Sequence, residues 1–342
     1  MLKPDDKIFV AGHRGLVGSA AVCALKRSGY ENIVTRSRAE LELTRPTDVA
    51  QFFAETRPDV VVVAAARVGG INANRHHPIE FLYENTMIAM NVIHAAACAN
   101  VTHLLFLGSS CIYPKQCPQP IAESALLSGP LEPTNEAYAI AKIAGLKLCE
   151  AFARQSGRHF FSLMPTNLYG PNDNFDPWNA HVIPGMMRRF HEAKVAGLET
   201  VSIWGSGQAL REFMHVDDLA SAIVVALERH PPGGEAILNV GTGHEISIEG
   251  LAKLMREVVG YEGVLTFDPT QPDGTPRKLL NSERMRALGW SPSVALRDGL
   301  EATYEWAVSS NVFEPPAADA DRSASSSDRP SLDPGQASPP RA

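Results

Sequence analysis

The sequence predicts an α/β protein whose larger part is a doubly wound parallel sheet, joined to a smaller, mainly C-terminal α/β domain for substrate binding. Apolar, strand-like runs alternate with helix-like periodicity through the first 170 of the 342 residues, which is the pattern of repeated βαβ units. One predicted strand, residues 59–66, is continuously apolar after Asp59, as expected for a parallel strand covered on both faces. A glycine-rich turn follows the first run and would allow a ligand to approach the backbone closely.

Domain boundaries are predicted from changes in composition along the chain. Residues 1–170 are expected to form the larger domain, with elements near 213–241 returning to it, and residues 171–313 mainly the smaller one. Residues 314–342 consist largely of Pro, Ala, Ser, Asp and Arg. Such a segment cannot bury enough apolar surface to offset the entropy of ordering, so we expect a disordered tail without a catalytic role.

Composition narrows the possible functions. The net charge is −7 and the charged residues are interspersed, so we expect no nucleic-acid partner. No apolar run approaches the ~20 residues of a membrane span, and the N-terminus lacks a signal-peptide core. The 5 cysteines are odd in number and show no CxxC spacing. We therefore expect no metal site, no disulfide framework and a reducing, cytoplasmic location.

The first predicted strand, residues 7–11, runs directly into a glycine-rich loop. The spacing G-x-x-G-x-x-G permits a tight turn, and the helix that follows offers free amides to a pyrophosphate. The second predicted strand ends at Arg36 and Arg38 rather than at an acidic residue. Because guanidinium groups suit a ribose 2′-phosphate, NADP(H) is expected rather than NAD(H); the alternative is that both are solvated loop cations. The loop of this Rossmann-type site comprises Gly12, His13, Arg14, Gly15, Leu16, Val17 and Gly18.

A group of proton-handling residues follows the fourth predicted strand. Ser109 and Cys111 stand just after the apolar run 104–107, and a later helix carries Tyr138 and Lys142 one turn apart. A free phenol titrates near ~10, and a neighbouring ammonium lowers that pKa. We therefore expect Lys142 to lower the pKa of Tyr138, while Ser109 hydrogen-bonds the same substrate oxygen. The alternative is an ordinary Tyr/Lys pair on a surface helix.

These motifs resemble those of the extended short-chain dehydrogenase/reductases, a family that modifies nucleotide-sugars. Within the family, they are most similar to the branch that converts GDP-4-keto-6-deoxy-D-mannose to GDP-L-fucose with NADPH, by epimerisation at C3 and C5 and then reduction at C4. The match covers about residues 7–313. The motifs that carry it lie at residues 12–15, 68–71, 107–114, 135–142, 165–171, 181–184, 211–218 and 272–278.

The resemblance also implies roles for individual residues. Cys111 is expected to be the base of the epimerisation and His181 its acid, and Tyr138 the proton donor of the reduction. A thiol, with an ordinary pKa near ~8.5, ionises near neutral pH when cations lie close to it. The implied cofactor contacts, besides the glycine loop, are Leu107, Gly108, Ser109, Ser110, Lys142, Pro165, Thr166, Asn167, Leu168 and His181. The implied contacts to the GDP-sugar are Arg189, Trp204, Arg211, Asp273 and Lys278.

A homodimer is implied too, formed through the helix that begins at Pro78 and the helix that carries Tyr138. Two other functions remain open at this point. A reductase or 4-epimerase of another nucleotide-sugar would use Ser109, Tyr138 and Lys142 but would leave Cys111 and His181 without a task. A non-catalytic NADP-binding sensor would need only the glycine loop.

Overall fold

The structure is a computed structural model that describes residues 2–271 and 273–314. The predicted tail, residues 314–342, lies outside the described residues except for Glu314. The strands are β1 (Ile8–Ala11), β2 (Ile33–Val34), β3 (Val60–Val63), β4 (His103–Leu107), β5 (His159–Pro165), β6 (Asn167–Tyr169), β7 (Thr200–Trp204), β8 (Leu210–His215), β9 (Ile237–Val240), β10 (Glu245–Ser247), β11 (Val264–Asp268) and β12 (Arg277–Lys278). The helices are α1 (Leu16–Arg27), α2 (Pro46–Thr56), α3 (Ile71–His76), α4 (Pro78–Cys98), α5 (Glu136–Ser156), α6 (Val182–Val195), α7 (Val216–Arg229), α8 (Ile248–Val259), α9 (Glu283–Ala287) and α10 (Leu296–Ser309).

The larger sheet has the strand order β2-β1-β3-β4-β5-β9, and every pairing in it is parallel. Successive side chains of a strand point to opposite faces, and here both faces are buried. Ile8 and Val10 of β1 pack on the face covered by α1 and α7, whereas Phe9 and Ala11 pack on the face covered by α2, α4 and α5. The predicted doubly wound α/β fold class is confirmed.

The chain leaves β1 towards β2 on one side and later returns to β3 on the other side. A crevice therefore forms at the carboxyl ends of β1 and β3, which is where ligands bind in open α/β sheets. β3 ends at Val63, before the end of the predicted run 59–66. The small residues that follow leave the strand and lie directly against Gly12, so that the glycine loop approaches them closely.

The smaller domain is built around β8. This strand pairs in parallel with β6 and β12 and antiparallel with β10, while β7 and β11 form a separate parallel pair. Helices α6, α8 and α10 cover these strands with a third apolar core. Because β6 begins two residues after β5 ends, β8 lies next to the carboxyl edge of the larger sheet.

Two buried carboxylates fix the smaller domain in place. Glu212, on β8, accepts hydrogen bonds from the backbone amides of Gly243 (2.7 Å) and Leu280 (3.1 Å). Asp218, in the first turn of α7, accepts from the amides of Ser293 (2.9 Å) and Val294 (3.1 Å). Burying a carboxylate is costly unless it is hydrogen-bonded, so these contacts select one arrangement of the segments that they join.

Helix α3 was not expected from the sequence. It occupies six residues between the glycine pair Gly69–Gly70 and α4. A helix this short shows too few turns for its periodicity to stand out. In the described part of the chain, no helix is both long and apolar enough to cross a membrane.

Candidate active site

A cavity of about 730 Å³ opens at the carboxyl edge of the larger sheet and extends to β7 and β8 of the smaller domain. Its wall combines the glycine loop, the ends of β4 and β5, the first turns of α5 and α6, and side chains of the smaller domain. A cavity of this size between two domains is typical of small-molecule sites. Among the described residues, no group of His, Cys, Asp and Glu could hold a metal ion.

The glycine loop forms one end of the cavity. Gly12 has a φ of +86°, and a Cβ there would lie 2.7 Å from backbone atoms of Ala65. A Cβ at Gly18 would lie 2.1 Å from the Gly12 carbonyl oxygen, so the loop and α1 can meet only if both residues are glycine. Gly15 caps α1 without a side-chain hydrogen bond, which leaves the first amides of the helix to a ligand. This cradle fits a dinucleotide pyrophosphate.

The predicted loop residues divide into two groups. Gly12, Gly15, Leu16 and Val17 line the cavity. His13, Arg14 and Gly18 are not part of the wall. Gly18 acts through packing against the loop, and Arg14 is exposed to solvent. The motif spacing identifies the turn, but it does not distinguish residues that face the ligand from residues that support the turn.

Arg36 and Arg38 lie on the cavity wall after β2, as the cofactor assignment requires. Arg38 is already paired, with its guanidinium 2.7 Å from Glu42 and 3.8 Å from Glu84. Arg36 lies over the ring of Phe52 and donates to the Thr35 carbonyl. The two acidic neighbours of Arg38 were missed by the sequence reasoning, because Glu84 is brought there by α4 from a distant part of the chain.

The other predicted cofactor contacts follow β4 and β5, and all of them line the cavity: Leu107, Gly108, Ser109, Ser110, Pro165, Thr166, Asn167 and Leu168. The side chains of Thr166 and Asn167 donate to the Glu212 carbonyl at 3.1 Å and 2.8 Å. These hydrogen bonds attach the end of β5 to β8. The backbone of the cavity wall is therefore held by the smaller domain as well as by the larger sheet.

Tyr138 and Lys142 face the cavity from α5, next to Ser109. The Lys142 ammonium donates to the Leu107 carbonyl at 2.7 Å and lies 5.7 Å from the centre of the Tyr138 ring. Burial lowers the pKa of Lys142 to about 8. Burial raises the pKa of Tyr138 well above its ordinary value, Cys111 adds to this rise, and a hydrogen bond with Ser109 opposes it.

The expectation that Lys142 lowers the pKa of Tyr138 is therefore wrong for this structure. The ammonium is directed at a strand carbonyl rather than at the phenol, and desolvation dominates at a buried site. The consequence is a Tyr138 that carries its proton at neutral pH. That is the form a proton donor needs.

Cys111 lies in a short 3₁₀ turn, Ser110–Ile112, directly after β4. Its sulfur accepts a hydrogen bond from the Asn135 side-chain amide at 3.3 Å and another from the Lys278 ammonium at 3.6 Å. Asn135 occupies the N-cap position of α5 but makes no capping hydrogen bond with its side chain. The side chain of Asn135 is turned towards Cys111 instead of towards the free amides of α5.

His181 lies on the same cavity wall, at the N-cap position of α6. Burial lowers the pKa of His181, and its hydrogen bond with the Gly69 carbonyl opposes that shift. The amide of Gly70 donates to the Asn179 carbonyl at 2.8 Å. A Cβ on Gly70 would lie 2.5 Å from the Ala180 carbonyl oxygen, so the glycine pair lets this loop lie directly beside the segment that carries His181.

Four of the five predicted GDP-sugar contacts, Arg189, Trp204, Arg211 and Lys278, line the opposite end of the cavity. The Arg189 guanidinium lies 5.6 Å from the centre of the Trp204 ring, and half of the Trp204 surface (49%) is exposed. Burial lowers the pKa of Arg189 and of Arg211. Partly desolvated guanidinium groups without a full set of partners are suited to bind phosphates.

Asp273 does not line the cavity. Its carboxylate accepts from the amide (2.7 Å) and the hydroxyl (2.8 Å) of Ser206, and its carbonyl accepts from Arg211 at 3.0 Å. The motif around residue 273 therefore positions Arg211, while the carboxylate of Asp273 is engaged by Ser206.

A family model described as the NAD-dependent epimerase/dehydratase family matches residues 8–241. The chain belongs to this family. The predicted resemblance is confirmed at that level, and the matched range includes the glycine loop, the two helices with Tyr138 and His181, and the strand β9 that completes the sheet.

Individual members of the epimerase/dehydratase family are close to the chain. GDP-L-fucose synthase 1 of Arabidopsis thaliana is 59% identical over 306 residues, covering 90% of this chain and 94% of that protein. GDP-L-fucose synthase of Escherichia coli strain K12 is 54% identical over 309 residues, covering 88% and 96%. The solved structure of a GDP-L-fucose synthetase from Naegleria fowleri bound to NADP has a TM-score of 0.82 at 26% identity, covering 91% of this chain and 97% of that one.

One group in the site of this family member was missed by sequence reasoning. Asp173 lines the cavity, and its Oδ2 is enclosed without a hydrogen-bond partner among the described residues. Burial raises the pKa of Asp173 to about 7, and the amide of Asn174 opposes this shift. The only signal in the sequence was an Asn/Asp-rich run after Gly170, which is equally typical of a surface loop.

Proposed function

We propose that this protein converts GDP-4-keto-6-deoxy-D-mannose to GDP-L-fucose with NADPH, by epimerisation at C3 and C5 followed by reduction at C4. The observation that carries the proposal is that Cys111 and His181 share one cavity with Ser109, Tyr138 and Lys142. A reductase alone needs only the last three residues. The names of the two relatives at 59% and 54% identity support the same reaction.

NADP(H) is the proposed cofactor. The glycine cradle fits a pyrophosphate, and Arg36 and Arg38 provide cations where a ribose 2′-phosphate would lie. The NADP-bound structural neighbour supports this choice. Bound at this site, NADPH supplies the hydride for C4. Lys142, held by the Leu107 carbonyl, is placed to bind the nicotinamide ribose hydroxyls.

In the epimerisation, the C4 ketone acidifies the hydrogens on C3 and C5, so a modest base can remove them. The Cys111 thiolate takes a proton from the ring carbon, and the electron pair moves to the C4 oxygen. His181 then gives a proton to the opposite face of the same carbon, which inverts it. Burial lowers the pKa of His181, which makes its protonated form a stronger acid but reduces the protonated fraction, and the hydrogen bond with the Gly69 carbonyl opposes this shift.

In the reduction, a hydride adds to C4 and the carbonyl oxygen becomes an alkoxide that needs a proton. Tyr138 donates this proton, and the Ser109 hydroxyl hydrogen-bonds the developing negative charge. The raised pKa of Tyr138 ensures that the proton is present at neutral pH. A positioned proton donor of this kind contributes roughly 10²–10⁴-fold to the rate.

The GDP part of the substrate is proposed to lie at the smaller-domain end of the cavity. Arg189 and Arg211 bind the two phosphates through charge-assisted hydrogen bonds, and the exposed ring of Trp204 packs against the nucleoside. Lys278 lies closer to the reacting sugar, because its ammonium contacts the sulfur of Cys111.

The protein is further proposed to be a cytoplasmic homodimer. The five cysteines are all free thiols, which suits a reducing compartment. Helices α4 and α5 expose Ile79, Leu82, Tyr83 and Ile140, and a second copy would cover these apolar side chains. Light scattering coupled to gel filtration tests the dimer, and a lysine introduced at Ile79 should shift the mass to that of a monomer.

The decisive experiment supplies freshly prepared GDP-4-keto-6-deoxy-D-mannose and NADPH, follows NADPH oxidation by absorbance, and identifies the product by NMR. Formation of GDP-L-fucose is expected. GDP-D-rhamnose, the reduced but unepimerised sugar, would leave a reductase and remove the epimerase assignment.

Two variants separate the stages. Cys111→Ser should abolish exchange of the C3 and C5 hydrogens with deuterated water, whereas His181→Asn should abolish inversion at these carbons; NADPH should still bind to both variants. Fucose formation at the wild-type rate in both variants would contradict the assigned base and acid.

A further inference from the structure

The sulfur of Cys111 lies between two hydrogen-bond donors that come from different domains. The Asn135 side-chain amide approaches it to 3.3 Å from the start of α5, and the Lys278 ammonium to 3.6 Å from β12 of the smaller domain. Both distances lie within hydrogen-bond range for sulfur. Donors that face a thiol favour its ionised form, because a thiolate accepts hydrogen bonds more strongly than a neutral sulfur does.

Among the described residues, Cys111 is the one polar partner of the Lys278 side chain. Its ammonium makes no ion pair there, and its hydrogen bond to Cys111 is the only side-chain hydrogen bond it forms in residues 2–271 and 273–314. β12 fixes its position by pairing with Leu210 and Arg211 of β8. β8, which carries Arg211 at the cavity, therefore also holds β12 where the Lys278 ammonium contacts the sulfur of Cys111.

The other charged and titratable groups around Cys111 are mostly neutralised by partners. A small cavity of about 20 Å³ behind the thiol is lined by Lys115, Glu132, Arg277 and Lys278. Lys115 pairs with Glu132 at 3.0 Å, and Arg277 pairs with Glu245 at 2.8 Å. Tyr138 faces the thiol from α5 and is uncharged at neutral pH, because burial raises its pKa. Lys278 is thus the unpaired cation of this group.

Asn135 gives up a local role to make its contact. The N-cap position of a helix is favoured by asparagine because its side chain can accept from a free backbone amide, a contact worth about 1 kcal/mol. Asn135 stands at that position of α5 without making such a hydrogen bond. Its amide donates to Cys111 instead, which also places the positive end of the α5 dipole beside the sulfur.

We propose that Asn135 and Lys278 are positioning residues that hold Cys111 as a thiolate, so that it can act as the base of the epimerisation. The inference rests on the proposed function, in which Cys111 removes the sugar proton. It assigns Lys278 a role at the thiol itself and Asn135 a role beyond starting its helix. Cys117, on the same loop, is not part of the proposal, because burial raises the pKa of its thiol.

The test measures thiolate content directly, by the rate of iodoacetamide alkylation of Cys111 in the full-length protein with NADP⁺ bound, followed at the Cys111 peptide by mass spectrometry. Asn135→Asp keeps the shape but replaces the donor by a negative charge. Lys278→Met removes the charge, and Lys278→Arg retains it. At pH 7 the alkylation rate should fall about tenfold in Asn135→Asp and in Lys278→Met, and return to within about threefold of wild type in Lys278→Arg.

The catalytic readout is exchange of the C3 and C5 hydrogens in deuterated water with NADP⁺ in place of NADPH, so that no reduction can occur. Exchange at pH 7 should fall in parallel with alkylation and recover as the pH is raised to 9. The affinity of each variant for the dinucleotide, measured in the same samples, should stay within about twofold of wild type. This control shows that the variants fold.

Two kinds of failure are distinguishable. If Cys111→Ser exchanges hydrogens at the wild-type rate, Cys111 is not the base of the epimerisation. The proposed mechanism and this inference are then both wrong. If Cys111→Ser abolishes exchange while Asn135→Asp and Lys278→Met alkylate at the wild-type rate across pH, only the inference is overturned. Lower exchange with unchanged alkylation would likewise overturn it, since the two residues would then act on substrate binding.

Discussion

The two ends of the cavity are built in different ways. The dinucleotide end is made mainly of backbone from a few continuous stretches, namely the glycine loop and the segments directly after β4 and β5, and Arg36 and Arg38 add the charged side chains there. The sugar end is made of side chains that come from widely separated segments of the chain, including Asn135, His181, Arg211 and Lys278. One end depends on the absence of side chains, and the other on their convergence.

This difference shows where each end is sensitive to change. A glycine in the cradle is replaceable only at the cost of moving the backbone, as the 2.1 Å approach at Gly18 indicates. A side chain at the sugar end can be exchanged without disturbing the backbone, so its loss should affect chemistry while leaving dinucleotide affinity intact. Tyr138 lies where the two ends meet, and its substitution is the strongest test of this separation.

Replacement of Tyr138 by phenylalanine should produce the largest effect. Reduction should slow by roughly 10²–10⁴-fold because the proton donor is lost, while the Kd for NADPH changes by less than about twofold. Single-turnover oxidation of NADPH measures the first quantity and a fluorescence titration the second. Tyr304→Phe, on α10 of the smaller domain and outside the cavity wall, is the matched control. Hydrogen exchange at C3 and C5 that fell as much as reduction would contradict the assignment of Tyr138 to the second stage.

Gly18→Ala should weaken NADPH binding at the dinucleotide end of the cavity. The new methyl group would meet the Gly12 carbonyl oxygen, and overpacking of this kind costs about 1–3 kcal/mol, or roughly 10–100-fold in the Kd for NADPH. Gly185→Ala is the counterpart at the sugar end, where the nearest contact would be an ordinary 3.5 Å. Equal losses of NADPH affinity in the two variants would show that the two ends are not separable.

The double variant Arg36→Ala/Arg38→Ala should lower the preference for NADPH over NADH by about tenfold, since charge-assisted hydrogen bonds are worth about 1.5–3 kcal/mol and Arg38 is already shared with Glu42 and Glu84. The ratio of kcat/KM for the two cofactors is the measurement. Arg45→Ala, an exposed arginine at the start of α2 that does not line the cavity, controls for net charge. A preference that survives in the double variant would locate the 2′-phosphate elsewhere.

The smallest effect is expected from Asp173→Asn. Burial raises the pKa of Asp173 to about 7, above the unfolded value of ~3.9, so its contribution to stability is fully present below pH ~3.9 and is lost progressively as the pH rises to about 7. The variant, which cannot ionise, should therefore gain roughly 2 °C in Tm over wild type between pH 5 and pH 8. The gain is small because residue 173 keeps part of its surface in water. A difference in Tm that stays constant with pH would mean that Asp173 is not the titrating group.

The sequence was informative where function depends on local spacing. The glycine loop, the Tyr138–Lys142 pair and the alternation of strands and helices all follow from neighbours in the chain, and the fold class was predicted from them. The direction in which the pKa of Tyr138 shifts was not predicted, because it depends on burial by the assembled fold. The contact of Lys278 with Cys111 joins residues 167 positions apart, and no local pattern encodes such a pairing.

The position of β9 in the larger sheet has a consequence for how the chain can be divided. The sixth strand of that sheet, and the helix α7 that covers one of its faces, are encoded after β6, α6, β7 and β8. A ribosome must therefore deliver about 240 residues before the first domain is complete, and a gene cut after residue 170 would yield a sheet with β5 as an open edge and an apolar face uncovered. Exchanging the whole smaller domain between relatives would therefore require three junctions. One lies before β6, one after β8, and the third after β9, where the chain returns to the smaller domain.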